Sequence, residues 1–210
     1  MSTAKKIILG VVIALVTIVA GGYLYLRSSL PKKEDFANLV EPRISTMREI
    51  TVLRVDFNGD ADTVISDAYT RLFSAYYKLD GVPKGSSPAP LARYENLANV
   101  DFAHTENLKK IPWKGFAAIQ IPDQTTLNDA ARATGASIEK LPYGEVAEIV
   151  HFGSYSSEHP TILKLHRFIE SKGYKISGLH EEQYYKGPGM FIPVKPEDYI
   201  TVIRYQISRK

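Results

Sequence analysis

PYGEVAEIVHFGSYSSEHPTILKLHRFIESKGYKISGLHEEQYY, from Pro142 to Tyr185, holds a strand, a turn, a helix and a returning strand. Val146, Glu148, Val150 and Phe152 alternate with Ala147, Ile149 and His151, and both sets are largely apolar, which predicts a central strand covered on both faces. Gly153 interrupts it, and Ser154, Tyr155, Ser156 and Ser157 form a turn rich in capping hydroxyls. Pro160 suits a first helical turn and Gly173 a helix stop, with Ile162, Leu165, His166 and Ile169 on one face between them. The chain returns through GLHEEQYY, a strand with adjacent carboxylates and adjacent tyrosines.

The same order occurs earlier. Residues 49–59 alternate as a strand, and Ile65, Ala68, Leu72, Tyr76 and Leu79 give an apolar helical face with Gly81 beyond it. Residues 81–90 are loop by composition. LARYENLANVDFAH (91–104) reads as strand, ENLKKIPWKG (106–115) as turn-rich chain, and GFAAIQIP (115–122) as a further strand. Gly59 to Tyr94 spans 35 residues and Gly153 to Tyr184 spans 31. The chain therefore reads as an α+β domain over 49–210, built from two strand–helix–strand–strand repeats, 49–122 and 137–210. A connector, 123–136, carries a short helix around Leu127, Ala130 and Ala131, stopped at Gly135.

Gly144, Gly153, Tyr155, the pair Glu182 and Tyr184, and the closing strand ITVIRYQI (200–207) resemble the GyrI-like effector-binding domain, over about the last seventy residues. Family members include drug-sensing halves of bacterial transcription activators, free-standing proteins and a membrane-anchored eukaryotic autophagy receptor. The resemblance implies a tandem duplication with both helices on one sheet face and a ligand surface on the other, between the halves. It places Glu182 in that pocket. A partly buried carboxylate among aromatic rings attracts an amphipathic cation through charge and cation–π contact. The expected aromatics are Tyr184, Tyr155, Tyr143 and Trp113. Glu181 is the rival for the acid, because a one-residue register slip exchanges the faces. Without the resemblance Glu182 reads as a solvated strand carboxylate, and Tyr155 and Tyr184 suit sheet packing as well as ligand contact.

Non-enzymatic binding of a small apolar or cationic ligand, or of a protein partner, is the expected function. The alternative is a membrane-bound hydrolase of reactive small molecules in which Glu182 activates water, as the resemblance allows for some members. A pure adaptor is the third reading, but the receptor that this layout resembles works through a long tail, and Lys210 follows the last strand directly.

Residues Ile7 to Leu26 carry no charge and would span about 30 Å as a helix, the thickness of a bilayer core. Lys5 and Lys6 precede them, Arg27, Lys32 and Lys33 follow, and Tyr23 and Tyr25 suit an interface. A buried core helix or a cleaved signal peptide would be the alternatives, but the run is long and no A-x-A-like site follows it. The expectation is a single-pass membrane protein with an N-terminal anchor over 7–26, a short flank over 1–6, a linker over 27–48 and the lipid bilayer as partner. The flanking charges nearly balance, with a lean to the N-terminus inside.

The formal net charge is +3, and setting aside Lys5, Lys6 and Arg27 leaves 23 basic residues against 23 acidic ones. A neutral domain without a basic run does not predict nucleic-acid binding. The absence of cysteine excludes thiolate metal sites, disulfides and cysteine nucleophiles. His104, His151, His159, His166 and His180 form no metal-binding spacing, and His159 and His166 lie about two helical turns apart. No metal or cofactor is expected. Ser154 lacks a G-x-S-x-G context, and Gly187 and Gly189 read as a hairpin turn.

Overall fold

The computed structural model describes residues 17, 20–85, 87–97, 111–188 and 193–210. Its strands are β1 (Arg43–Met47), β2 (Ile50–Gly59), β3 (Leu91–Tyr94), β4 (Trp113–Gln120), β5 (Ser137–Leu141), β6 (Gly144–Phe152), β7 (Tyr174–Ile176), β8 (His180–Lys186) and β9 (Ile200–Arg209). The helices are α1 (Ala61–Tyr76), α2 (Asp129–Arg132) and α3 (His159–Ser171). Among the described residues the strands run in the order β1-β6-β9-β8-β3-β4-β2-β5, with β7 on β9. Every pairing is antiparallel.

The duplication is visible in this order. Outward from the centre run β8-β9-β6-β1 on one side and β3-β4-β2-β5 on the other. At the centre Ala92 pairs with Glu182, flanked by Leu91 with Gln183 and Arg93 with Glu181. This register is symmetric about the Ala92–Glu182 pair, so Ala92 and Glu182 are equivalent positions, as are Tyr94 and Tyr184. Gly115 lets the centre close up, because a Cβ there would sit 2.0 Å from the Arg93 carbonyl oxygen.

The outer strands are exchanged. β1 precedes the first repeat but pairs with β6 of the second, and β5 precedes the second but pairs with β2 of the first. This corrects the linker expected over 27–48. Most of that segment is folded: Lys33–Leu39 forms a 3-10 helix that buries Phe36 and Leu39, and Arg43–Met47 is β1. Its polar sequence suits an edge strand with one side toward solvent. The strand expected over 91–104 is seen for Leu91–Tyr94, and its last residues lie outside the described set, as does Gly189 of the expected hairpin.

Both helices cover one sheet face. Ala68, Leu72, Ile162, Leu165 and Ile169 pack with Leu53, Val55, Ala117, Ile119, Ile149, Ile203 and Tyr205 in one core. Pro160 stands in the first turn of α3, and Gly153, with φ +137°, takes the chain from β6 toward it. The opposite face is covered in part by Phe36 and Leu39 on Val150, Ile200 and Val202, and by Leu141 and Tyr143 near Leu91 and Phe116.

The apolar run 7–26 lies mostly outside the described residues, of which 17 and 20–28 are helical. Among the described residues no helix is long and apolar enough to cross a membrane.

Candidate functional site

Strand alternation puts His180, Glu182 and Tyr184 on the face beneath the helices, and Glu181 on the other. The rings confirm it: Tyr69 of α1 meets Tyr184 at 5.9 Å, and His166 of α3 meets Tyr205 at 4.9 Å. Glu182 therefore lies on the helix-covered face, whereas the sequence reading set the ligand surface on the helix-free face. Ala92, directly opposite, contributes only a methyl group and leaves room for the Glu182 side chain.

Glu182 is 8% exposed and held from both oxygens. His180 Nε2 donates to Oε1 at 2.7 Å, and the Tyr184 hydroxyl donates to Oε2 at 2.6 Å. Behind them, His180 Nδ1 meets the Tyr205 hydroxyl at 2.5 Å, and the Tyr94 and Tyr184 hydroxyls meet at 2.7 Å across the symmetry axis. Burial alone would raise the Glu182 carboxyl, but the bond and electrostatic pull of His180, the Tyr184 hydroxyl and the neighbouring Glu158 hold it below its usual range. Burial and the Glu182 charge push the Tyr94 and Tyr184 hydroxyls well up, so both remain donors.

Glu158 is the second acid. It stands just before α3, 4% exposed, against Glu182. Burial, then the Glu182 charge, pushes its carboxyl up to about 10. Two adjacent buried carboxyls cannot both ionise cheaply, so Glu158 keeps the proton and Glu182 the charge.

Aromatic rings line the approach. Tyr155 lies 5.5 Å from Tyr184 and 5.1 Å from Tyr199, and at 39% exposed it marks the solvent end. Of the residues singled out from the sequence, Glu182, Tyr184 and Tyr155 come together. Trp113 reaches the cluster through Tyr94, 5.3 Å away. Tyr143 does not: it lies on the opposite face, donating to Glu181 Oε2 at 2.9 Å beneath the Arg93 guanidinium. Its position after β5 gives no alternation from which to read a face.

On that opposite face, Glu181 bridges Arg93 (2.6 Å) and Arg204 (2.5 Å), and Glu148 bridges Arg204 (3.0 Å) and Arg43 (2.9 Å). Arg93, Tyr143, Leu179, Glu181, Arg204 and Gln206 line a depression of about 150 Å³ there, open solvent included. Two carboxylates and three guanidiniums thus form a structural ion-pair network.

Sequence reasoning missed Glu158, His180, Tyr94 and Tyr69 as site residues. A signal existed for Tyr94, the repeat partner of Tyr184. Glu158, in SSEHP, reads as an ordinary helix-start acid. Burial holds the His151 imidazole below its usual range, and its Nδ1 meets Thr161 Oγ1 at 3.0 Å, so its contact with Ser157 is not backed by a carboxylate. Among the described residues no group of three or more acidic or histidine side chains is arranged to hold a metal ion.

No family model and no curated protein matches this chain. Solved structures do. An uncharacterized conserved protein from Listeria innocua has a TM-score of 0.67 at 20% identity, covering 84% of this chain and 97% of that one. A hydrolase from Listeria innocua has a TM-score of 0.62 at 19% identity, covering 84% and 96%. The EcmrR C-terminal domain has a TM-score of 0.59 at 13% identity, covering 81% and 98%. At these identities the likeness concerns the fold alone, and that fold agrees with the α+β arrangement expected from the sequence.

Proposed function

We propose that this protein binds a small amphipathic organic cation between α1 and α3, and that the apolar run 7–26 tethers it to a membrane. One observation carries the binding reading: an ionised, nearly buried carboxylate, Glu182, at the base of a tyrosine cluster that reaches solvent at Tyr155. A buried anion attracts a cation strongly, because the surrounding dielectric is low. The rings of Tyr184 and Tyr155 add apolar area and cation–π contact.

The test is a thermal-shift panel of cationic and neutral amphipathic compounds on the wild type and Glu182→Gln. A cation at one hundred times its dissociation constant should stabilise the wild type by about 2.7 kcal/mol and leave the mutant unshifted. Equal shifts in both proteins, or none in either across the panel, would remove the reading.

The Glu158–Glu182 pair favours a second reading. Two carboxyls driven apart in proton affinity can serve as acid and base. Glu182 would take a proton from an attacking water while Glu158 gives its own to the leaving group. The structures sharing the fold include hydrolases from Listeria innocua. Product formation by the wild type, lost in Glu158→Gln with binding retained, would establish turnover over binding.

A further inference from the structure

The helix-free face carries a ladder of charges at right angles to the strands. From β1 across to β4 the directly opposed residues are Arg43, Glu148, Arg204, Glu181, Arg93 and Phe116. The sign alternates at every step as far as Arg93 and stops there, because the next strand offers a phenyl ring. Arg204 has a carboxylate on each side, and Arg43, at the sheet edge, reaches water with 43% of its side chain exposed. Arg93 has neither. Its side chain is 9% exposed, and among the described residues its one hydrogen bond is from Nε to Glu181 Oε2. That oxygen also accepts from Tyr143, and the other oxygen of Glu181 is taken by Arg204. Beyond Phe116, Asp56 and Glu139 are engaged by Arg54. The duplication itself does not demand a guanidinium here, since the counterpart of Arg93 in the second repeat is the neutral Gln183.

The two Nη groups of Arg93 are therefore a nearly buried fork without an acceptor, in a side chain that lines the depression with Tyr143, Leu179 and Gln206. A guanidinium edge matches the two oxygens of a carboxylate, and such charge-assisted pairs are strong. Three guanidiniums against two carboxylates leave one positive charge, so a monoanion balances the ladder, whereas a dianion adds repulsion from Glu181. The Tyr143 ring, 4.7 Å from the Arg93 guanidinium, and Leu179 supply apolar surface around the fork. We infer that Arg93 is an anion-binding residue and that this face takes small monocarboxylates with an apolar or aromatic body. Only the carboxylate enters the depression, and the body rests on its rim. The site lies across the sheet from Glu182 and is independent of what binds there.

The experiment is calorimetric titration of the detergent-solubilised full-length chain with benzoate, with neutral benzamide, and with inorganic phosphate at a mildly alkaline pH where it is mainly a dianion. It is repeated with benzoate on Arg93→Lys and Leu179→Glu. Arg93→Lys keeps the charge beside Glu181 and loses the fork, and Leu179→Glu leaves the ladder untouched and sets a carboxylate at the depression. The wild type should bind benzoate roughly tenfold or more tighter than benzamide or phosphate, and each variant should weaken benzoate by a similar factor. Equal binding of benzamide overturns the inference, since the contact would then be apolar alone. Equal or tighter binding of phosphate overturns the assignment to monocarboxylates. Unchanged benzoate binding in either variant removes Arg93 as the receiving group, and the absence of saturable benzoate binding to the wild type overturns the site whatever the variants do.

Discussion

Glu158 and Glu182 are chemically identical side chains with opposite protonation, and their surroundings account for it. Glu182 receives N–H and O–H donors, whereas burial and the Glu182 charge leave the Glu158 proton in place up to about pH 10. A carboxyl whose folded value lies above its unfolded one stabilises the fold fully below the unfolded value and loses that contribution as pH rises through the folded one. Wild-type stability should therefore decline between the ordinary carboxyl value of 4.5 and about 10. Glu158→Gln, which mimics the protonated acid, should flatten that decline and be more stable than wild type near pH 9 by about 1–3 kcal/mol in urea titrations. Glu182 has the opposite sign: its contribution is present above the unfolded carboxyl range and is lost as pH falls through its depressed folded value. On the other face, Glu181→Gln would leave Arg93 and Arg204 short of a partner and should cost about 3–5 kcal/mol by the same titrations. Glu182 and Tyr184 could be named from their spacing. Tyr143 was grouped with them because a residue after a strand end has no alternation to show its face.

β6, α1, α3 and β9 are all readable from periodicity, since each has a buried stripe at its own repeat. β1 is not. RISTM has no apolar alternation, and its place is set by a partner about one hundred residues away, where Arg43 and Ser45 bond Glu148. The exchanged outer strands tie each repeat to the chain preceding the other, so the segment before residue 49 acts as part of the domain. Trimming the chain to start at residue 49 uncovers one edge of β6 and the surface beneath Phe36 and Leu39. That fragment should melt lower than one starting at residue 28 and scatter light on heating, as exposed strand edges do. Equal melting of the two fragments would return 27–48 to the status of a linker.

Across the whole molecule, pseudo-symmetry makes one site from two unequal halves. Tyr94 and Tyr184 meet on the axis, but Ala92 stands where the second repeat has Glu182. The fold itself therefore does not require the acid, and the asymmetry leaves space for a single carboxylate where two would repel. The tether makes a prediction at this scale. Full-length protein should remain in the membrane fraction after an alkaline carbonate wash, and the fragment starting at residue 28 should wash off. Release of the full-length chain would rule out the anchor.

The sequence by itself determined the duplication, most of the helices and strands, and the pairing of Glu182 with Tyr184 on one face. Those follow from local periodicity, which a chain carries wherever it folds. Only the tertiary structure decided which face the helices cover, that Glu181 and Tyr143 belong to the other, and that Glu158 closes on Glu182. Alternation states which side chains share a face but not what packs upon it. That depends on the direction in which each helix crosses the sheet and on contacts between residues far apart in the chain, so the buried pair of acids came into view only with the fold.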